Sequence, residues 1–396
     1  MRVLAVADSD SYLKWAAGLL ADLPPGCTTR LAVIRTPIAP SPGQIAAALS
    51  GAPATQPPPQ VLSARALRRT AERMRPDVVL VSCTGPVVDV LVADVLDGLR
   101  PRPVFVTGLP GISVPATEKA WLFRSGCDLF VVHSRREVAE FAGIAARLGG
   151  GGAIGLARLP FLRPRGGQTA RPDGGGDRVV FATQAKVPRR REERERVLHA
   201  LARLAGDRPD LDVVVKLRAW EDERQTHNER HHYRRLWREL GEPGKLTFET
   251  GPMHEQLARA AGFVTVSSTA ALEAIAQGVP SLVLADFGVS AEMINLVFEG
   301  SGLLGTLDDL AGGAFRTADA GWCAANYFHP AGGDDWTDRL AALVADPAGR
   351  PRSLLDGPDH AAARRRARLR VEVPPDLLRA GYLAKRRMRR YLRALT

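Results

Sequence analysis

At 396 residues, with 45% hydrophobic and 24% charged side chains, the chain has the make-up of a soluble globular protein too long for one ordinary core, so two domains are expected. No apolar run approaches the roughly 18 residues of a membrane-spanning helix, and the opening MRVLAVADSDSYLKW reads as a strand then a helix and not as a secretory signal. The formal net charge of +11 is concentrated at one end: residues 361–396 hold twelve Lys/Arg against Glu372 and Asp376, so the basic balance describes a tail and not a nucleic-acid-binding body.

In chain order, Arg2–Ala7 (RVLAVA) has the apolar composition of a buried strand and runs into a helix near Ser11–Leu20. Thr29–Ile34 is a second strand, and the Pro/Gly/Ser-rich stretch from Thr36 to Gln60 reads as a surface excursion around one small helix, Gln44–Leu49. Helices over Ser63–Met74, Val87–Leu99, Glu118–Ser125 and Arg136–Leu148 alternate with strands at Asp77–Val81, Pro103–Thr107, Cys127–Ser134 and Ile154–Leu159. Residues 163–177 (RPRGGQTARPDGGGD) offer almost nothing to a core and read as a linker. The alternation then restarts with strands at Arg178–Ala182, Asp212–Leu217 and Leu246–Glu249 and helices at Glu192–Leu204, Tyr233–Leu240 and Met253–Ala260. The expected fold is α/β: two doubly wound Rossmann-like domains facing across a cleft, 1–162 and 178–360, followed by a basic tail, 361–396.

The most informative stretch is GFVTVSSTAALEAIAQGVPSLVLAD, residues 262–286: strand, hydroxyl-rich turn, helix, tight turn, strand. Ser267, Ser268 and Thr269 fall at a helix start, where free backbone N–H groups and the helix dipole favour a phosphate. Glu273, one turn on, can meet a ribose hydroxyl beside it. The plainer alternative is an N-cap with a dipole-complementing acid. Other strand ends add Thr183, Gln184 and Lys186, then Lys216 and Arg218, then His254 after Gly251–Pro252. Singly, these cations are ordinary strand-end charges and His254 a capping residue; in a doubly wound sheet, all these loops converge on one edge and can line a single anionic-ligand site.

The order FATQ, VVVKLR, GPMHEQL and SSTAALEAIAQGVPSLVL resembles the carboxyl half of a GT-B glycosyltransferase, over roughly residues 178–310, and is most similar to bacterial sialyltransferase and capsule polysialyltransferase-like enzymes. GLPGIS and RSGCDLFVVHS extend the resemblance weakly into the first half. It implies inverting, metal-independent transfer from a nucleotide sugar, CMP-activated sialic or ulosonic acid first, to a cell-envelope glycan or lipid-linked acceptor, with no bound cofactor. Where that group has Lys-x-His-Pro, this chain reads Lys216–Leu217–Arg218–Ala219, and its paired-acid motif in the first domain is not evident. Arg218 can clamp a phosphate but cannot act as an acid at neutral pH, which leaves His254 for that role.

Base candidates are Asp10, then Asp8, then Glu118; Asp8-Ser9-Asp10 has the letters of a metal motif but follows a strand directly, where a helix cap plus an acceptor-facing acid is the reading. Cys27, Cys83, Cys127 and Cys323 stand singly, so reduced thiols in a cytoplasmic protein are expected and no zinc site. In the tail, Met388, Tyr391, Leu392 and Leu395 recur at helical spacing among arginines, which suits either an anionic membrane surface on the inner face of the membrane or a helix docked on the first domain. Two other classes fit the same fold: a UDP-sugar transferase or 2-epimerase, and a non-catalytic nucleotide-sugar-binding module.

Overall fold

In Arg2–Ala7 (β1), five of six residues are buried, as a strand covered on both faces requires. The computed structural model describes residues 1–49, 58–162, 176–221, 229–330, 332–346, 349, 351, 353–374, 377 and 378. After β1 come α1 (Asp10–Leu20), β2 (Thr28–Ile34), α2 (Pro42–Leu49), β3 (Gln60–Leu62), α3 (Ala64–Met74), β4 (Val78–Ser82), α4 (Gly85–Val90), β5 (Val104–Gly108), α5 (Glu118–Leu122), β6 (Leu129–Val132), α6 (Arg135–Leu148) and β7 (Ala153–Leu156). The seven strands form one parallel sheet in the order β3-β2-β1-β4-β5-β6-β7. The strand order reverses between β1 and β4, the place in open α/β sheets where ligands generally bind, outside the carboxyl ends of the strands. The period of two in β1 sorts its side chains: Val3, Ala5 and Ala7 pack with Leu13 and Leu19 of α1, while Leu4 and Val6 pack with Leu67 of α3 and Val88 of α4.

The second unit contains β8 (Arg178–Ala182), α7 (Arg191–Asp207), β9 (Asp212–Lys216), α8 (Tyr233–Glu239), β10 (Thr247–Glu249), α9 (Met253–Leu257), β11 (Ala260–Thr265), α10 (Ala270–Ala276), β12 (Ser281–Leu284), β13 (Leu304–Gly305), α11 (Leu307–Ala311) and α12 (Ala320–Ala325). Its parallel sheet runs β10-β9-β8-β11-β12-β13, with the reversal between β8 and β11. Val179 and Phe181 of β8, Leu198 and Leu201 of α7 and Trp237 of α8 share its core.

Three expectations change. The stretch read as a surface excursion ends in a short edge strand, β3, paired in parallel with β2. The long helix read from Val87 is α4 followed by a widened turn over Leu91–Val95. The second domain was expected to run to residue 360, but the compact units are 1–161 with 331–396, and 162–330. The cause is α13 (Trp336–Ala345), which buries Trp336 and Leu340 among Val3, Leu19, Val78 and Val106 of the first core. Gly155 on β7 makes the approach possible, since a Cβ there would lie 3.1 Å from the Trp336 Cβ. Asp335, just before α13, is fixed to the same strand: its Oδ1 accepts from the Leu156 N–H at 2.7 Å. Then α14 (Pro358–Glu372) docks beside α4, where Arg364 grips the buried Asp89 carboxylate through two bonds of 2.8 Å. Residues 361–372, the start of the stretch expected as a basic tail, belong to the first unit. Most of the linker (163–175) and the apolar positions of the tail (Met388, Tyr391, Leu392, Leu395) lie outside the described residues.

Candidate nucleotide site

In the second unit the strand order reverses between β8 and β11, the place where open α/β sheets form a ligand crevice, and residues that follow those strands meet there. The Thr183 N–H and Oγ1 both donate to the Lys216 carbonyl at 3.1 Å, tying the end of β8 to the end of β9. Across the reversal, the buried Ser267 Oγ donates to Gln184 Oε1 at 2.6 Å, which leaves the Gln184 amide N–H groups as donors. Thr265, the last residue of β11, donates to the Ala182 carbonyl and accepts from the Ser268 N–H, both at 3.1 Å. These bonds make one framework of three strand ends.

Lys216 stands within it, partly buried, and its ammonium pKa is lowered by burial first and by the neighbouring Arg218 second; the Glu273 carboxylate acts in the opposite direction. Lys216 thus stands within the electrostatic reach of both Arg218 and Glu273, and Arg218 is exposed. A partly desolvated ammonium beside an open guanidinium is a setting that an incoming phosphate would stabilise.

The hydroxyl turn differs from expectation in one respect. Ala270 N–H donates to Ser268 Oγ at 3.2 Å, and the Ala271 and Leu272 amides donate to the Ser268 and Thr269 carbonyls at 3.0 Å, so these amides at the start of α10 already have partners. The amides of Ser268, Ala270, Ala271 and Leu272 are thus bonded within the turn, as in a cap. The Thr269 side chain makes no cap bond and is exposed. Near this turn stand the Gln184 side chain, bonded to Ser267, and the partly buried Lys216 and exposed Arg218 at the end of β9.

Lys186 is exposed in the loop after β8. His254 sits half-buried in the first turn of α9, after β10, which lies beyond β9 from the crevice. Two residues that sequence reading passed over contribute to the framework: Thr265, two residues upstream of the hydroxyl run Ser267–Thr269, and Arg194, 2% exposed near the start of α7. The signal for Arg194 was absent because its neighbours Arg189, Arg190, Arg191 and Arg196 make the whole segment look like a solvated basic helix start.

The first unit places its acids differently from one another. Asp8 is 0% exposed at the β1–β4 reversal; its Oδ2 accepts from Thr84 N–H at 2.9 Å and Thr84 Oγ1 at 2.5 Å, while Oδ1 is buried without a hydrogen-bond partner among the described residues. Burial raises its carboxyl pKa, against the lowering pull of the Thr84 bonds and the Arg124 charge. Arg124 is itself buried, donating to Tyr12 Oη at 2.8 Å and the Cys83 and Gly108 carbonyls at 3.2 Å. Asp10 opens α1 and is half-buried, open to solvent where Asp8 is not. Glu118 forms an ion pair with Arg147 at 2.7 Å, both side chains more than half exposed.

A cavity of about 640 Å³ opens at the other, amino end of the second sheet; its ionic residues pair with one another, Arg259 with Asp177 and Arg208 with Asp210, and no predicted site residue lines it. Among the described residues, no helix is long and apolar enough to cross a membrane.

No curated protein matches the chain by sequence. Solved structures match its fold. S. aureus MnaA with UDP superposes with a TM-score of 0.54 at 13% identity, over 79% of this chain and 87% of that one. The UDP-GlcNAc 2-epimerase of Neisseria meningitidis bound to UDP-GlcNAc gives 0.54 at 12% identity, over 79% and 90%. The UDP-GlcNAc 2-epimerase of Methanocaldococcus jannaschii gives 0.54 at 11% identity, over 87% and 99%. At such identities the likeness concerns the fold alone, and that fold is GT-B. Residues 3–343 match the family described as "Putative glycosyltransferase (DUF6716)", and the chain belongs to that family.

Proposed function

We propose that this chain is a metal-independent glycosyltransferase that binds a nucleotide sugar at the carboxyl ends of β8, β9 and β11, and that the nucleotide is a uridine nucleotide. The observation that carries the site is the Ser267–Gln184 bridge across the strand reversal, beside the partly desolvated Lys216 and the exposed Arg218. Solved structures of the same fold hold UDP or UDP-GlcNAc, which supports the uridine reading. In the proposed reaction Lys216 and Arg218 hold the diphosphate and stabilise the charge that develops on it as the glycosidic bond breaks. Two side-chain cations supply the positive charge that a metal ion provides in other transferases. Asp10 is the proposed base, taking the proton of the acceptor hydroxyl so that attack inverts the anomeric centre. Of the three acids proposed for this role it combines partial burial with access to solvent. A cell-envelope glycan or lipid-linked acceptor fits a chain whose last residues, 361–396, carry most of its net positive charge.

A CMP-activated ulosonic acid is the second donor reading, favoured by the likeness of Ser267–Thr269, Glu273 and Gly278–Pro280 to sialyltransferase-like motifs. A 2-epimerase is the second reaction, favoured by the names of the structural neighbours. Calorimetric titration with UDP, CMP and GDP, with and without Mg²⁺, tests the proposal. UDP is expected to bind without metal, and Arg218→Ala to weaken it by about 1–3 kcal/mol, the size of a lost charge-assisted hydrogen bond. Selective CMP binding would move the donor to the second reading, and turnover of UDP-GlcNAc without an acceptor would move the reaction to epimerisation. Binding of none of the three would overturn the nucleotide site.

A further inference from the structure

We infer that Arg194 is a positioning residue that holds the loops following β8 and β9 in one arrangement, and so shapes the nucleotide site of the second unit; the functional half of this inference rests on the reading above. The Arg194 guanidinium is fully occupied. Its Nε donates to the Pro188 carbonyl at 2.9 Å, and Nη2 donates to the carbonyls of Gln184 and Ala185 at 3.0 Å each. Nη1 donates to Glu229 Oε1 at 2.5 Å and to the His231 carbonyl at 2.6 Å. The plane of the group lies 4.9 Å from the Tyr233 ring centroid.

A buried arginine present only to neutralise Glu229 would need one or two of these bonds. Three instead run to residues 184–188, the loop whose Gln184 side chain meets Ser267. The other two run to residues 229–231, and the next residue, His232, places its Nε2 3.1 Å from the Ala219 carbonyl, adjacent to Arg218. One side chain thereby ties the Gln184 loop to the segment that abuts the Arg218 loop. Only a planar fork with five donors can serve so many carbonyls at once; an ammonium with three donors on a flexible stem cannot. Arg194 and Glu229 side chains are 2% and 3% exposed, so replacing both by apolar residues of similar volume removes a buried charge pair without leaving either charge unpaired, while the carbonyls of Gln184, Ala185, Pro188 and His231 lose their donor.

The test is hydrogen–deuterium exchange by mass spectrometry on the full chain, with Arg194→Met/Glu229→Met and Arg194→Lys, and with melting temperature and UDP affinity measured on the same samples. The double variant is expected to remain folded and to melt below the parent, since four carbonyls lose their donor. Amides of 183–190 and 217–221 should exchange faster in both variants, by about tenfold or more, while those of β8, β9 and β11 keep their rates. UDP affinity should fall by about tenfold or more, because small displacements of binding groups are costly. Parent-like exchange in either loop overturns the inference, and so does a uniform rise across the whole second unit, which would make Arg194 a general stabiliser. Should the double variant not fold, Arg194→Lys, which keeps a charge for Glu229, decides by the same criteria. If the parent binds no UDP, the nucleotide reading falls, and the exchange pattern still decides whether Arg194 couples the two loops.

Discussion

Asp8 shows how environment separates two acids two residues apart. Its carboxylate is fully buried with one oxygen lacking a hydrogen-bond partner, and burial raises its pKa, so the folded chain holds a proton there at a pH where the unfolded chain has released it. Stability from this group is therefore greatest below the ordinary carboxylate range and declines as pH rises through the raised value. Asp8→Asn keeps an acceptor for Thr84 and removes the charge. Urea unfolding at about pH 4 and about pH 8 should show the variant gaining on the parent at the higher pH. A difference between the two proteins that does not change with pH would refute the account. Asp10, two residues on, is half-buried at the start of α1 and is the acid proposed as the base.

At the scale of elements, α13 decides where the first unit ends. It contributes Trp336, 3% exposed, and Leu340 to a core that includes residues of β1, α1, β2, β4, β5 and β6. Trp336→Ala should cost about 3–5 kcal/mol, the loss for a buried aromatic that leaves a cavity. The loss should fall on one unit: in calorimetry, the transition of the first unit moves down and that of the second keeps its temperature. A shift of the second transition instead would return α13 to the second unit. The docking of α14 has a different character, since Arg364 and Asp89 form a partly exposed ion pair and the helix buries Val371. Such a pair specifies position more than it adds stability.

For the whole molecule, the two units repeat one device. Each sheet reverses direction once, and a polar bridge spans the reversal: Asp8 to Thr84 in the first, Gln184 to Ser267 in the second. The second unit is a continuous segment with its own core, whereas the first is closed by residues returning after 330. Residues 176–330 expressed alone should therefore fold and bind UDP with near-parent affinity, and residues 1–162 alone should not fold cooperatively. Circular dichroism melts and UDP titration of the two fragments check this. A folded first fragment would show that α13 and α14 are dispensable.

The alternation of apolar strands and helices, the parallel sheets and the strand ends that carry polar residues were all legible in the chain itself. Runs such as RVLAVA and RVVFA can be buried on both faces only in a covered parallel sheet, and chain order then puts Thr183, Lys216 and Ser267 on one edge. Three matters needed tertiary structure. The return of Trp336 to the first core is a contact across more than 300 residues, and an amphipathic helix carries no mark of which sheet it will cover. The partners of the α10 amides depended on turn geometry that Ser-Ser-Thr does not specify. Arg194 looked like one solvated arginine among several, and only packing shows that its guanidinium is buried and its five donors taken up by two loops. Periodicity reports which face of an element is apolar, while the choice of partner is made by shape and hydrogen bonding between segments far apart in the chain.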